Sequence, residues 1–85
     1  MEKKNLLVVV AGKTASGKSR LTYLLKKFLR ENGFEVEHEL NRDHLSEENF
    51  DTDMSKNLIE VIDNFKETRK IVLKEVTINS FNEKN

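Results

Sequence analysis

Cysteine and proline are absent from this chain of 85 residues, and glycine occurs only three times. Without cysteine there is no disulfide scaffold and no four-cysteine zinc site. With no proline and no linker-like stretch, residues 1–85 read as one small domain, ending in a flexible tail at 79–85. An excess of one charge is missing too: fifteen Lys and Arg stand against fifteen Asp and Glu, a formal net charge of zero. Nothing in that total points to nucleic acid or to an anionic membrane. The longest apolar run covers six residues, 6–11, far short of a membrane span or the apolar part of a secretory leader. Hydrophobic residues make up 36% of the chain. Generic scaling for this mass leaves a folded surface of roughly 5,200 Å², with only about 64% of the extended surface buried. A large enzyme core is excluded, and a soluble cytoplasmic domain is the expectation.

Periodicity divides the chain into five segments. Residues 6–11, Leu-Leu-Val-Val-Val-Ala, are continuous, apolar and rich in β-branched side chains, which favours a strand buried on both faces. From Ser19 the period becomes helical, with Leu21, Leu24, Leu25, Phe28 and Leu29 on one stripe and Lys26, Lys27 and Arg30 off it. Asn32-Gly33 ends that helix, and Phe34 folding back on Leu29 would complete a Schellman motif. Residues 34–40 alternate, with Phe34, Val36, His38 and Leu40 on one face and three glutamates on the other, as in an edge strand. Residues 41–53 read as a long polar loop with a net charge of −4, Arg42 against Asp43, Glu47, Glu48, Asp51 and Asp53. Residues 51–53 can cap a second helix with the stripe Met54, Leu58, Val61, Ile62 and Phe65. A third strand is expected over about 70–78, apolar at Ile71, Val72, Leu73, Val76 and Ile78. The predicted order is β-α-β-α-β, an α/β fold with a minimal three-stranded parallel sheet.

The chemistry concentrates in Gly12-Lys13-Thr14-Ala15-Ser16-Gly17-Lys18-Ser19, which satisfies G-x-x-x-x-G-K-[ST] at every fixed position. Two of the three glycines occupy its obligatory positions. Gly12 and Gly17 would let the backbone turn with positive φ and approach a ligand closely. The N–H groups of residues 13–18 would then form an anion-binding concavity at the positive end of the first helix. Lys18 would reach the β- and γ-phosphates, and Ser19 would offer its hydroxyl to Mg²⁺.

On these residues the chain resembles the P-loop (Walker A) NTPases, in particular the first half of small-molecule and nucleotide kinases. The likeness is close over residues 6–19 and extends through Leu40. It implies binding of Mg²⁺ with ATP or GTP, with Lys18 in a catalytic position. By the same likeness Glu75, after the third strand, would be the acid that holds the metal's water shell, and Asp43, after the second, would orient or deprotonate an acceptor. Lys74 interrupts the apolar run before Glu75, and glutamate stands where aspartate is usual. His38 reads as a core or partner-facing residue and His44 as exposed loop, with no metal-ligand spacing between them. The further strands and the arginine-bearing lid of such kinases have no counterpart here, and of Arg20, Arg30, Arg42 and Arg69 only Arg42, in the acidic loop, could approach a γ-phosphate. Weak or absent phosphoryl transfer is therefore expected, with phosphate binding retained.

The resemblance also implies strand order 2-3-1, which leaves the apolar first strand as an open edge. That edge would invite self-association or a partner protein, whereas order 2-1-3 would cover it. Two classes of function follow: a nucleotide- or phosphate-binding domain, or a shortened scaffold that regulates a larger partner protein. No membrane and no nucleic acid are expected as partners.

Overall fold

The structure, a computed structural model, describes residues 4–13, 15–41 and 43–77. Its secondary structure is three helices, α1 (Lys18–Glu31), α2 (Glu47–Met54) and α3 (Leu58–Thr68). Among the described residues no strand forms. The expected α/β sheet, in order 2-3-1 or 2-1-3, is therefore corrected to a small all-helical fold, and with it the P-loop, kinase-like architecture that the sheet would have carried. Residues 78–85, the end of the expected third strand and the tail, lie outside the described residues.

The physical reason lies in where each element finds its hydrogen bonds. A helix closes its backbone bonds within the segment. A strand exists only if a distant segment supplies the ladder, and β-branching or alternation expresses a fit to such a surface without providing one. Among the described residues no backbone hydrogen bond joins 6–11, 34–40 and 70–77. Most of the apolar side chains meant for a sheet stay in water: Leu6 is 95% exposed and Leu73 88%, with Leu7, Val8, Val9, Ile71, Val72 and Val76 also exposed, while Val10, Val36 and Leu40 are half-buried. The accessible surface of 7910 Å² is correspondingly far above the compact expectation.

α1 begins and ends as its sequence requires. Gly17 stands before it at φ 97°, and at the other end Gly33 has φ 85°. There the Phe34 N–H donates to Leu29 O at 3.0 Å and the Gly33 N–H to Arg30 O at 3.0 Å, the two bonds of a Schellman ending. The second half of the chain departs from expectation. The polar stretch 41–53 contains α2, capped by Ser46, whose Oγ accepts from the Asn49 N–H at 3.1 Å. Glu47 and Glu48 occupy its first turn, where the helix dipole favours them. Residues 51–53, expected as a cap, lie inside the helix. The single long helix expected from Met54 to Phe65 is broken at residues 55–57, where Asn57 is left-handed at φ 52°, a conformation asparagine tolerates. Arg20 on α1 spans the break, donating from Nη1 to Lys56 O at 2.8 Å and to Met54 O at 3.3 Å. These bonds occupy carbonyls that the end of α2 leaves open.

Among the described residues the core is a single ring with a charged lid. Phe50 on α2 is 2% exposed, flanked by His38 at 4.5 Å and His44 at 4.9 Å between ring centroids, both edge-on. Above it lies the Lys26 ammonium, 4.9 Å from the centroid. Lys26, read as lying off the buried stripe, is itself only 5% exposed, while Phe28 on that stripe is 62% exposed. α1 thus turns a charged edge toward α2, and its leucine stripe is only half covered.

Candidate functional site

The loop between residues 12 and 17 folds back on itself. The Lys18 Nζ donates to Gly12 O and to Lys13 O, each at 3.0 Å, so the ammonium closes the loop over its own backbone. Inside it the Ser16 N–H donates to Lys13 O at 3.1 Å, which removes one of the amides expected to face an anion. Of the two obligatory glycines only Gly17 has positive φ; among the described residues of the loop Ala15 is also left-handed, at φ 63°. At Gly12 a Cβ would stand 2.5 Å from Ser16 Oγ, a contact that turning the serine hydroxyl relieves. Thr14 lies outside the described residues.

Gly17 precedes α1 without any side-chain cap. The amides of the first turn, from Gly17 through Lys18 and Ser19 to Arg20, therefore have no acceptor from within the helix, and no acidic residue occupies that turn. Lys18 and Ser19 are half-buried there. Among the described residues no side chain caps these donors at the positive end of the helix.

The end of α3 supports the loop. The Phe65 ring lies against Gly17 so closely that a Cβ at Gly17 would stand 2.2 Å from Cζ. Arg69, just beyond α3, lies over the same ring at 5.0 Å from its centroid. Its Nε donates to Ser16 O at 2.8 Å and its Nη1 to Thr68 Oγ1 at 2.8 Å. The arginine beside the loop is thus Arg69; Arg42, the one singled out from the sequence, lies outside the described residues.

Other expected participants are not brought to this place. Asp43 is exposed and lines a separate open cleft of about 240 Å³ with His44, Asn49 and Asp53. Glu75 lies in the exposed segment after α3, so the strand end meant to position it does not form. Among the described residues neither acid makes a hydrogen bond or ion pair to loop 12–19. No group of three or more His, Asp or Glu among the described residues could hold a metal ion. Mg²⁺ is ordinarily held by one or two carboxylates with phosphates and water; Ser19 lies in the first turn of α1, where no acidic residue accompanies it, and Glu75 is not brought there.

A second polar cluster escaped sequence reasoning. Lys26 Nζ donates to Glu47 Oε2 at 2.9 Å, to Asp51 Oδ1 and to His38 Nδ1 at 3.0 Å. An ammonium has no acceptor, so His38 accepts at Nδ1 and carries its proton on Nε2. Burial, then the charge of Lys26, lowers the pKa of His38. Arg30 donates to the same Glu47 oxygen at 2.5 Å and to Val36 O at 2.7 Å. Hydrogen bonds from Lys26 and then Arg30 hold Glu47 down at about 2. The three protons of the Lys26 ammonium are matched, no buried side-chain polar atom among the described residues lacks a partner, and the cluster ties α1, α2 and residues 36–38 together as structure. Ser46 before two glutamates was the one sequence signal for α2; nothing in the spacing marked Lys26 as its partner.

Compared with protein-family models, curated proteins and solved structures, the chain finds no match in any of the three. No helix among the described residues is long and apolar enough to cross a membrane.

Proposed function

We propose that loop 12–19 holds the phosphate groups of a Mg²⁺-bound nucleoside triphosphate, ATP or GTP, and that the chain binds this ligand with little or no phosphoryl transfer. The observation that carries the reading is the uncapped start of α1 behind a loop closed by Lys18. A polyphosphate would supply the acceptors that the first-turn amides lack, and Lys18 would exchange two neutral carbonyls for an anion, a stronger charge-assisted bond. Ser19 and the phosphate oxygens would hold Mg²⁺, which neutralises part of the ligand's charge. This needs no sheet, because α3 supports the loop. The cysteine-free composition suits the cytoplasm.

Thermal melting with Mg²⁺ and tripolyphosphate, ATP or GTP tests the reading. At a hundred times its Kd a ligand adds about 2.7 kcal/mol, which in a domain this small raises Tm by more than about 10 °C. Lys18→Met is expected to abolish the shift. No shift with any of the three refutes the proposal.

One observation favours a second reading, an interaction protein that associates with its own copy or with a larger protein. The apolar side chains of residues 6–9 and 71–73 remain in water, more than a monomer ordinarily leaves uncovered. Light scattering across a concentration series tests it, and a monomer at every concentration counts against self-association.

A further inference from the structure

After α1 the chain runs through residues 34–41 without helix, and two hydrogen bonds from α1 hold this segment in place. The Arg30 guanidinium donates to Val36 O at 2.7 Å, and the Lys26 ammonium donates to His38 Nδ1 at 3.0 Å. The His38 ring also stands edge-on to Phe50. Val36, His38 and Leu40 are half-buried, while Glu35, Glu37 and Glu39 are exposed, so one face of the segment is turned inward.

The Lys26–His38 bond exists in only one protonation state of the histidine. The ammonium has three protons and no acceptor, and two of the three go to Glu47 and Asp51. The third needs a lone pair on the imidazole. An imidazolium has none, because both ring nitrogens carry protons, and turning the ring over does not restore one. Charge acts in the same direction. The charged groups facing His38 are Lys26 and Arg30 from α1 and Glu47 and Asp51 from α2, two cations against two anions. A proton on His38 adds a third cation with no anion to match it. His44, the other titratable group on the Phe50 ring, stands 4.9 Å from it. The tie between the helices is of another kind. Glu47 is held down at about 2 by hydrogen bonds from Lys26 and Arg30, so it stays ionised throughout the range in which a histidine titrates. The ion pairs that join α1 to α2 therefore outlast the bond to His38.

We propose that residues 34–41 are a proton-released strap: protonation of His38 detaches them from α1 and Phe50 while α1 and α2 stay joined, uncovering Val36, Leu40 and the Phe50 ring. The strap is independent of the phosphate reading of loop 12–19. Burial, then the charge of Lys26, lowers the pKa of His38 from 6.5, so the closed form binds the proton more weakly than the open one. The strap is accordingly shut above 6.5 and opens as pH falls below that value. One proton changes the ratio of open to closed form by at most about tenfold per pH unit.

Nuclear magnetic resonance of the full chain from about pH 8 to about pH 4.5 tests the proposal. At the upper end His38 is expected as the Nε2–H tautomer, with nuclear Overhauser contacts to the Phe50 ring. As pH falls its ring signals are expected to titrate with a midpoint below 6.5. The Phe50 contacts should vanish with the same midpoint, while far-ultraviolet circular dichroism retains the helical signal. His38→Gln offers Lys26 a carbonyl acceptor that no proton removes in this range. In that variant the amide signals of residues 36–40 are expected to show no acid transition. A His38 midpoint at or above 6.5 or beneath the titrated range, Phe50 contacts that survive protonation, helices that melt together with the strap, or the same transition in His38→Gln would each overturn it.

Discussion

Replacing Gly17 with alanine probes the contact on which the site depends. Gly17 has φ 97° and would place a Cβ 2.2 Å from Phe65 Cζ and 2.8 Å from Cε2. Two costs are expected. A left-handed conformation at a residue with a Cβ costs roughly 1–2 kcal/mol. Forcing a methyl into the ring adds about 1–3 kcal/mol, because Phe65 or the whole of α3 must shift. Gly33 supplies the internal control, since its φ is 85° and a Cβ there meets nothing within 4 Å. Gly33→Ala should therefore cost only the conformational share, and Gly17→Ala about 1–3 kcal/mol more. In a domain of this size that difference is at least about 4 °C in Tm. Urea unfolding followed by far-ultraviolet circular dichroism measures both, with unchanged slope as the check that two states are compared. Repeating Gly17→Ala in a Phe65→Ala background closes the cycle, and there its cost should fall to that of Gly33→Ala. Equal costs for the two glycines, or a Gly17 cost that survives removal of the ring, would refute the packing argument.

Phe50→Ala removes the one buried ring and should cost about 3–5 kcal/mol, enough to unfold most of the chain, as circular dichroism would report. Ser46→Ala should cost about 1 kcal/mol by urea titration through loss of the α2 cap, whereas Asp53→Ala, outside the cap, should cost less. The acid side of the stability profile follows from the signs of two shifts. Glu47 is depressed from 4.5 to about 2, so its contribution is present above 4.5 and lost as pH falls toward 2; at 37% exposure solvent screening holds it to about 1 kcal/mol. Glu47→Gln should flatten urea midpoints across that window. His38 is depressed from 6.5, so the stability it contributes is present above that value and is lost as pH falls below it; His38→Gln should remove this part of the decline.

Local information was legible in the chain wherever a structure closes on itself. α1 and its Schellman ending could be read because Leu29, Gly33 and Phe34 are close in the chain and settle their geometry among themselves, whereas its buried face was not, since Lys26 is buried and Phe28 exposed. α2 was hidden by composition: a stretch with six charges looks like a loop, and the signal in Ser46-Glu47-Glu48 is short. The break at Asn57 interrupts an unbroken apolar stripe, because Arg20 binding the carbonyls of Met54 and Lys56 comes from 36 residues away. The strands failed for the same reason at larger scale. Leu6 to Ala11 has the composition of a buried strand, yet composition cannot supply the neighbouring ladder. Of the site, loop 12–19 was legible as a motif, while the parts that hold it, Phe65 and Arg69, were not, since their role exists only once α3 lies beside Gly17.

That last placement changes what the loop depends on. In the arrangement its motif suggests, a phosphate loop is strung between a strand and a helix, and the sheet sets its shape. Here residues 4–11 are exposed apart from half-buried Val10, and among the described residues none of them makes a backbone hydrogen bond. The loop's shape comes instead from three contacts on its far side: Lys18 on the Gly12 and Lys13 carbonyls, Phe65 beneath Gly17, and Arg69 on Ser16 O. Two of the three come from α3 and its end, which is otherwise joined to α1 through Arg20 at the turn before it. The loop and α3 are therefore one cooperative unit. An anion that orders the loop must also favour the docked position of α3, because any ligand that binds only the assembled form shifts the equilibrium toward it. Closing that unit would order the loop and dock α3 in a single step.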